Sequence, residues 1–435
     1  MSQVVERAVE KGILLGASEV EAHYSITKGI RVVVESNEIK DTSWAVNRSL
    51  HVAVFVGKKV GFSHTTNVSD EGIVEAVDRA YRLASSSREN PFWKNLPSPK
   101  SFPNVRGTFD DKIASLSPED IVGFAGKMLG EASEDPRVSV MGGGVNSGQS
   151  EVYVANSAGV TGYDRGTGIS MDIVALAKDG EEIGSFAQSW EASRRLDLDP
   201  AEIGREGAVK ALESLGAKKV ESFTGSVILD YDAALDFISA LSEALNGDMV
   251  WRGSSPLRDK VGQEIAKESF SLVDDGTLES GVSSSMFDYE GVPRMKTVLI
   301  DRGILKGFLH NTYTAGILEV ESTGNASGFL SVAPSNLLVK AGDLSTEEMI
   351  SNVKRGLMVK RFSGYIRPED GVVSGSVKQA FLIENGKVKH PVKECMISGY
   401  LYELLKKIIG ISKIAKRRGP FIVPQIMFES MSIVG

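Results

Sequence analysis

The sequence predicts an α+β protein, with N-terminal α/β lobes built on an antiparallel sheet, followed by a β-rich C-terminal domain with flanking helices. Three observations lead there. β-prone runs come in pairs around short Gly-containing turns, the mark of hairpins and so of antiparallel pairing. Helical stretches open on side chains that cap free N–H groups: Ser69, Ser117 and Ser345. At 435 residues the chain is too long for one small core, so two or three domains are expected.

Residues 4–15 place Val5, Ala8, Val9 and Ile13 at helical spacing, and Gly16 closes the run. Strand-like runs follow at 20–26 and 30–35, then a polar stretch around Asn37 and a hairpin over 50–62 that turns at Gly57-Lys58. Ser69 caps a helix to Ala84, with Ile73, Val77, Ala80 and Tyr81 on one face. Residues 1–90 thus read as an N-terminal α+β lobe. Pro91, Pro97, Pro99 and Pro103 mark 91–105 as a connector.

Residues 106–218 read as a central lobe. Ser117-Pro118-Glu119-Asp120 starts a helix to about Glu134, turning Ile121, Phe124, Met128 and Ala132 inward. Gly142-Gly143-Gly144 lacks the Gly-Lys-Ser/Thr of a phosphate loop and the strand and helix of a dinucleotide fingerprint. A meander over 151–155, 168–177 and 183–190 suits it better, followed by a helix from Asp199-Pro200 to Gly216.

Residues 222–435 form the C-terminal domain. A strand at 226–229 leads to a helix over 233–245, stopped by Asn246-Gly247. The runs 297–300 and 304–309 flank Asp301-Arg302-Gly303 as a hairpin, after a polar loop, 288–293, in which Pro293 fixes entry to the strand. A strand at 336–340, a helix from Ser345 with Glu348 completing a capping box, a Gly-punctuated β region to His390, a helix over 396–409 and a strand pair over 421–433 complete the chain. Residues 297–309 and 380–392 share Leu-Ile-acid-x-Gly-x-aliphatic-Lys, so both read as hairpins.

A formal charge of -8 repels phosphate backbones and argues against nucleic acid as a partner. Lys413, Lys416, Arg417 and Arg418 form a local basic run that reads as a solvated helix end. The single cysteine, Cys395, allows no intrachain disulfide. No run approaches the ~18 apolar residues of a membrane span, and no leader pattern opens the chain, so no membrane partner and a cytoplasmic location are expected.

Chemistry is sparse. The five histidines, His23, His51, His64, His310 and His390, include no pair at helical metal-ligand spacing, and no Gly-x-Ser-x-Gly elbow is present. Ser322-Thr323-Gly324-Asn325 is a small polar cluster whose glycine lets another backbone come close; an ordinary turn is the alternative.

Residues 290–328, EGVPRMKTVLIDRGILKGFLHNTYTAGILEVESTGNASG, resemble the TldD/PmbA family, and similarity extends to RVVVESNEI, GDLSTEEMISNVKRGLMV and the closing Met-Ser-Ile-Val-Gly. The resemblance implies one half of a metalloprotease acting on unfolded proteins or peptides. The catalytic branch of that family carries His-Glu-x-x-x-His on a helix and a distal cysteine that hold zinc. Here Ile238, Ser239 and Glu243 stand at those positions and residues 416–421 hold no cysteine, so the chain is similar to the PmbA/TldE-type branch. The implied roles are a chain with no metal and no catalytic residue of its own, a zinc-bearing TldD-type partner, and a substrate surface including Ser322, Thr323, Gly324 and Asn325. A self-associating, homodimeric peptide-binding protein without protease activity is the alternative.

Overall fold

The computed structural model describes residues 2–435 and is mixed α+β, as the sequence predicts. Its N-terminal part is one antiparallel sheet of seven strands. The strands Glu19–Glu35 and Glu38–Val56 pair over their whole length around Ser36-Asn37, two non-Gly residues with positive φ. The runs expected at 20–26 and 30–35 are therefore a single strand, and the polar stretch after them is the turn of a long hairpin. Glu19–Glu35 also pairs with Val138–Asn156, so strands from both sides of the proline-rich connector share one sheet.

Alternation along Glu19–Glu35 decides what each face does. Val20, Ala22, Tyr24 and Ile26 pack under the helices Ser2–Leu14 and Asp70–Ser86. Ile30, Val32 and Val34 pack with Ile121 and Met128 of the helix Pro118–Ala132. The odd positions Glu21 and His23 therefore point to the opposite face, against the C-terminal domain. The Gly142–Gly144 stretch lies inside Val138–Asn156. There a side chain on Gly144 would meet the Val32 carbonyl of the adjacent strand, so close backbone approach explains that glycine.

The C-terminal domain holds an 11-stranded sheet. Five strands close on themselves: Phe223–Leu229, Arg355–Ile366, Val372–Glu384, Cys395–Tyr400 and Phe421–Val434, the last returning to the first. The helix Tyr231–Ala244 packs on this ring through Phe237, which meets Phe362 and Phe428. Both predicted hairpins form, Ile300 facing Leu305 and Ile383 facing Val388, each turning on two positive-φ residues, Arg302-Gly303 and Asn385-Gly386.

Two further expectations fail. The helix expected over 396–409 is instead the strand Cys395–Tyr400, one turn Leu401–Leu404, a 3-10 turn and the strand Ile408–Arg418. Cys395 and Ile397 are buried while Met396 is exposed, a period of two that the strand's two neighbours impose. The basic run is likewise no helix end. It lies on Ile408–Arg418, and Arg418 is buried. Among the described residues no helix is long and apolar enough to cross a membrane.

Candidate functional site

Where the C-terminal domain meets the odd face of Glu19–Glu35, a cleft of about 360 Å³ opens. Its floor is the loop at 286–294. Asp288 ties that loop: one carboxylate oxygen accepts from the Glu290 and Val292 amides at 3.0 and 2.9 Å, the other from the Ala326 amide at 2.9 Å. Gly291, at φ +78°, lies against Val160, where a side chain has no room. So held, the loop lays Tyr289 flat on His23, ring centroids 4.2 Å apart, and sets Phe287 against Phe102. Glu290 points inward and accepts from the Thr312 amide at 2.9 Å, at the start of the helix Thr312–Leu318, which the sequence did not reveal.

The electrostatics are unusual. Glu21, Asp288 and Glu290 are all buried in this seam. Burial, reinforced by the neighbouring carboxylates Glu290 and Asp288, pushes Glu21 well above the usual carboxylate range. Glu290 is raised to about 8 by burial and by Asp288. Asp288 is raised to about 6 by burial, against the pull of Arg294 and its three amide donors. Burial, with His51 beside it, lowers His23 to about 4, so the imidazole is neutral at physiological pH. Glu21 Oε1 and His23 Nδ1 are buried without a hydrogen-bond partner.

Guanidinium groups also line the cleft. Arg194 donates to the carbonyls of Val282, Thr167 and Ser284 at 2.8, 3.1 and 3.3 Å. Arg294 donates to Ser285 Oγ at 3.3 Å and to the Gly324 carbonyl at 2.6 Å. Arg165 is exposed and lies 4.0 Å over the Phe109 ring.

The tetrapeptide Ser322 to Asn325 stands behind the cleft wall rather than in the lining. Asn325 is buried and donates to Asp274 Oδ2 at 2.8 Å and to the Ala333 carbonyl at 3.1 Å. Thr323 Oγ1 accepts from the His310 amide at 2.8 Å and donates to Asn325 Oδ1 at 2.6 Å. Ser322 Oγ donates to the His310 carbonyl at 3.2 Å. Gly324 has φ +68°, and a side chain there would run into the Pro293 carbonyl. The cluster thus braces Arg294 and the two residues after it, Ala326 and Ser327, which do line the cleft. Sequence reasoning missed Glu21, His23, Tyr289, Arg194 and Arg294. The polar odd positions of an otherwise apolar strand were the signal, because that face had to be covered by something.

A second charged site lies on the helix Tyr231–Ala244. Ile238 is buried in the apolar core and Glu243 is exposed, so the two point to different surroundings. With Ser239 between them, these residues do not fit a zinc ion, and among the described residues no group of three or more His, Cys, Asp or Glu is placed to hold a metal. Next to this helix, Arg418 donates to Asp232 at 2.7 Å and to Glu191 at 3.2 Å and lies 3.4 Å from Glu206; Lys210 is 3.0 Å from Asp232 and 3.2 Å from Glu206. The network joins the helix Pro200–Leu212 and the strand Ala187–Ser193 to the C-terminal domain.

Known proteins share this architecture. Models of PmbA/TldA metallopeptidase domain 1, central domain and C-terminal domain match residues 20–84, 111–215 and 222–435. Metalloprotease PmbA of Escherichia coli O157:H7 is 24% identical over 100% of this chain and 96% of its own length. A metalloprotease TldD homolog of Haemophilus influenzae is 25% identical over 89% of this chain and 84% of its own. The crystal structure of TldE from Thermococcus kodakarensis superposes with a TM-score of 0.91 at 26% identity, covering 99% of this chain and 100% of that one.

Proposed function

Because the chain belongs to the PmbA/TldA metallopeptidase family, we propose that it is the PmbA/TldE-type, non-catalytic subunit of a cytoplasmic two-chain metalloprotease that degrades or matures unfolded proteins and peptides. In this reading the zinc resides in a TldD-type partner carrying His-Glu-x-x-x-His. This chain contributes one wall of the substrate chamber and the partner interface. The observation that carries it is the helix Tyr231–Ala244: the scaffold is kept, while its metal positions hold a core isoleucine, a serine and an exposed glutamate. Zinc hydrolysis needs the ion to bring bound water towards a pKa of about 7, and these side chains supply no ligand set for it. Ser322, Thr323, Gly324 and Asn325 serve substrate binding by fixing Arg294 and the cleft wall.

The test is a casein digest with this chain, with the TldD-type partner, and with both, each with and without chelator. Cleavage is expected only with the partner present, to rise when both are mixed, and to vanish with chelator. Untagged protein should carry well under one zinc per chain after dialysis. Chelator-sensitive cleavage by this chain alone would overturn the assignment.

A further inference from the structure

We infer that the cleft between the Glu19–Glu35 strand and the loop at 286–294 is a carboxylate-recognition site, taking the C-terminal carboxylate of a peptide against Arg165, Arg194 and Arg294. The inference rests on the peptide-binding reading above and adds to it the group that is recognised.

The hydrogen-bonding inventory carries it. Among the described residues none of the three arginines makes an ion pair with a carboxylate, unlike Arg418, which meets three. The bonds of Arg194 go to backbone carbonyls, and those of Arg294 to a serine hydroxyl and one carbonyl. A guanidinium has five N–H donors, so each keeps donors free after these contacts. The lining carboxylates are by contrast each engaged through both oxygens. Asp164 accepts from the Met286 and Arg165 amides, and Asp288 from three amides. Apart from His23 Nδ1 and Glu21 Oε1, which have no partner, the site therefore holds spare donors on cations and few spare acceptors, which is the complement of an oxyanion. Burial lowers the pKa of Arg194 and Arg294, and the nearby carboxylates, Asp164 for the first and Asp288 and Asp274 for the second, offset it only in part.

Shape and apolar contacts favour a carboxylate at the end of a chain over a bare ion. The cavity, about 360 Å³, falls at the lower end of the ~300–1,000 Å³ typical of organic ligands. One side is the Tyr289–His23 stack with Phe287 beside it, a surface for the aliphatic part of a residue. His23 is neutral, so it adds no charge of its own at pH 7.

The experiment is calorimetric titration of the full chain with N-acetyl-Ala-Ala-Ala as free acid, with its C-terminal amide, and with inorganic phosphate. The free acid is expected to bind at least about ten-fold more tightly than the amide, the scale of one charge-assisted contact. Arg165→Gln, a change at an exposed side chain, should shrink the ratio of acid to amide affinity several-fold, and an unchanged ratio counts against the site. Equal binding of acid and amide overturns the carboxylate site and leaves the peptide reading standing. Phosphate binding without either peptide also overturns it, in favour of a bare oxyanion site. If none of the three binds, the inference fails, and the digest with partner decides the wider reading separately.

Discussion

Glu290 is a carboxyl group that the fold holds protonated over much of the physiological range. Its folded pKa of about 8 lies above the ordinary value of 4.5, because of burial and the nearby Asp288. A raised carboxyl pKa gives stability that is complete below the unfolded value and is lost as pH rises through the folded one. Glu21 on the facing strand and Asp288 on the same loop shift in the same direction, while Arg294 opposes it at Asp288. Glu290→Gln keeps an acceptor for the Thr312 amide and removes the titration. Thermal melts from pH 5 to 8 should show the variant gaining Tm relative to the parent, with the gap widening towards pH 8. At Gly324 the reverse holds. Gly324→Val imposes a side chain on positive φ against a backbone carbonyl and should cost about 2 kcal/mol or more in chemical denaturation. Ser322→Ala, at a half-buried site, is the milder probe of the same turn, expected to cost about 1–2 kcal/mol for two lost hydrogen bonds, one to the His310 carbonyl and one from the Gly324 amide.

Among elements, the ion network around Arg418 ties two helices and two strands together. Removing one partner from such a site strands the others, and Arg418→Ala should cost about 3 kcal/mol, read from urea midpoints. For Asp232 and Glu206 burial would raise the pKa, yet Lys210 and Arg418 overcome it and hold both below the usual range. Their contribution is therefore present at neutral pH and lost in acid, so the deficit of Arg418→Ala should shrink as pH falls below about 4. This network also shows what the sequence concealed. Ser69, Ser117 and Ser345 announced their helices because capping is local chemistry, and all three accept the expected amide. The Gly-turned hairpins were legible for the same reason. Arg418 was not, because its partners lie more than 180 residues earlier and only the assembled fold makes it a buried cation. The strand Cys395–Tyr400 was hidden likewise: its alternation is short, and partners distant in sequence decide its state. Of the cleft, only the loop at 288–293 and the tetrapeptide after Glu321 stood out in the sequence, and the opposing strand had to be placed by the fold.

For the molecule as a whole, the closed ring of strands has a consequence in time. Its final seam joins Phe223–Leu229 to Phe421–Val434, where Ser226 and Glu429 bond across 203 residues. At ~5–20 residues per second of synthesis, roughly 10–40 s pass between the appearance of one side of that seam and the other. Throughout this interval Phe223–Leu229 lacks its partner, and Arg355–Ile366 and Val372–Glu384 emerge into a half-built sheet with open edges. The N-terminal sheet needs no such wait, since its strands are complete by residue 193. The nascent chain should thus carry a finished front half while its rear half stays adhesive and dependent on holding factors. Pulsed hydrogen exchange during refolding should find the amides of Glu19–Glu35 protected well before those of Phe223–Leu229.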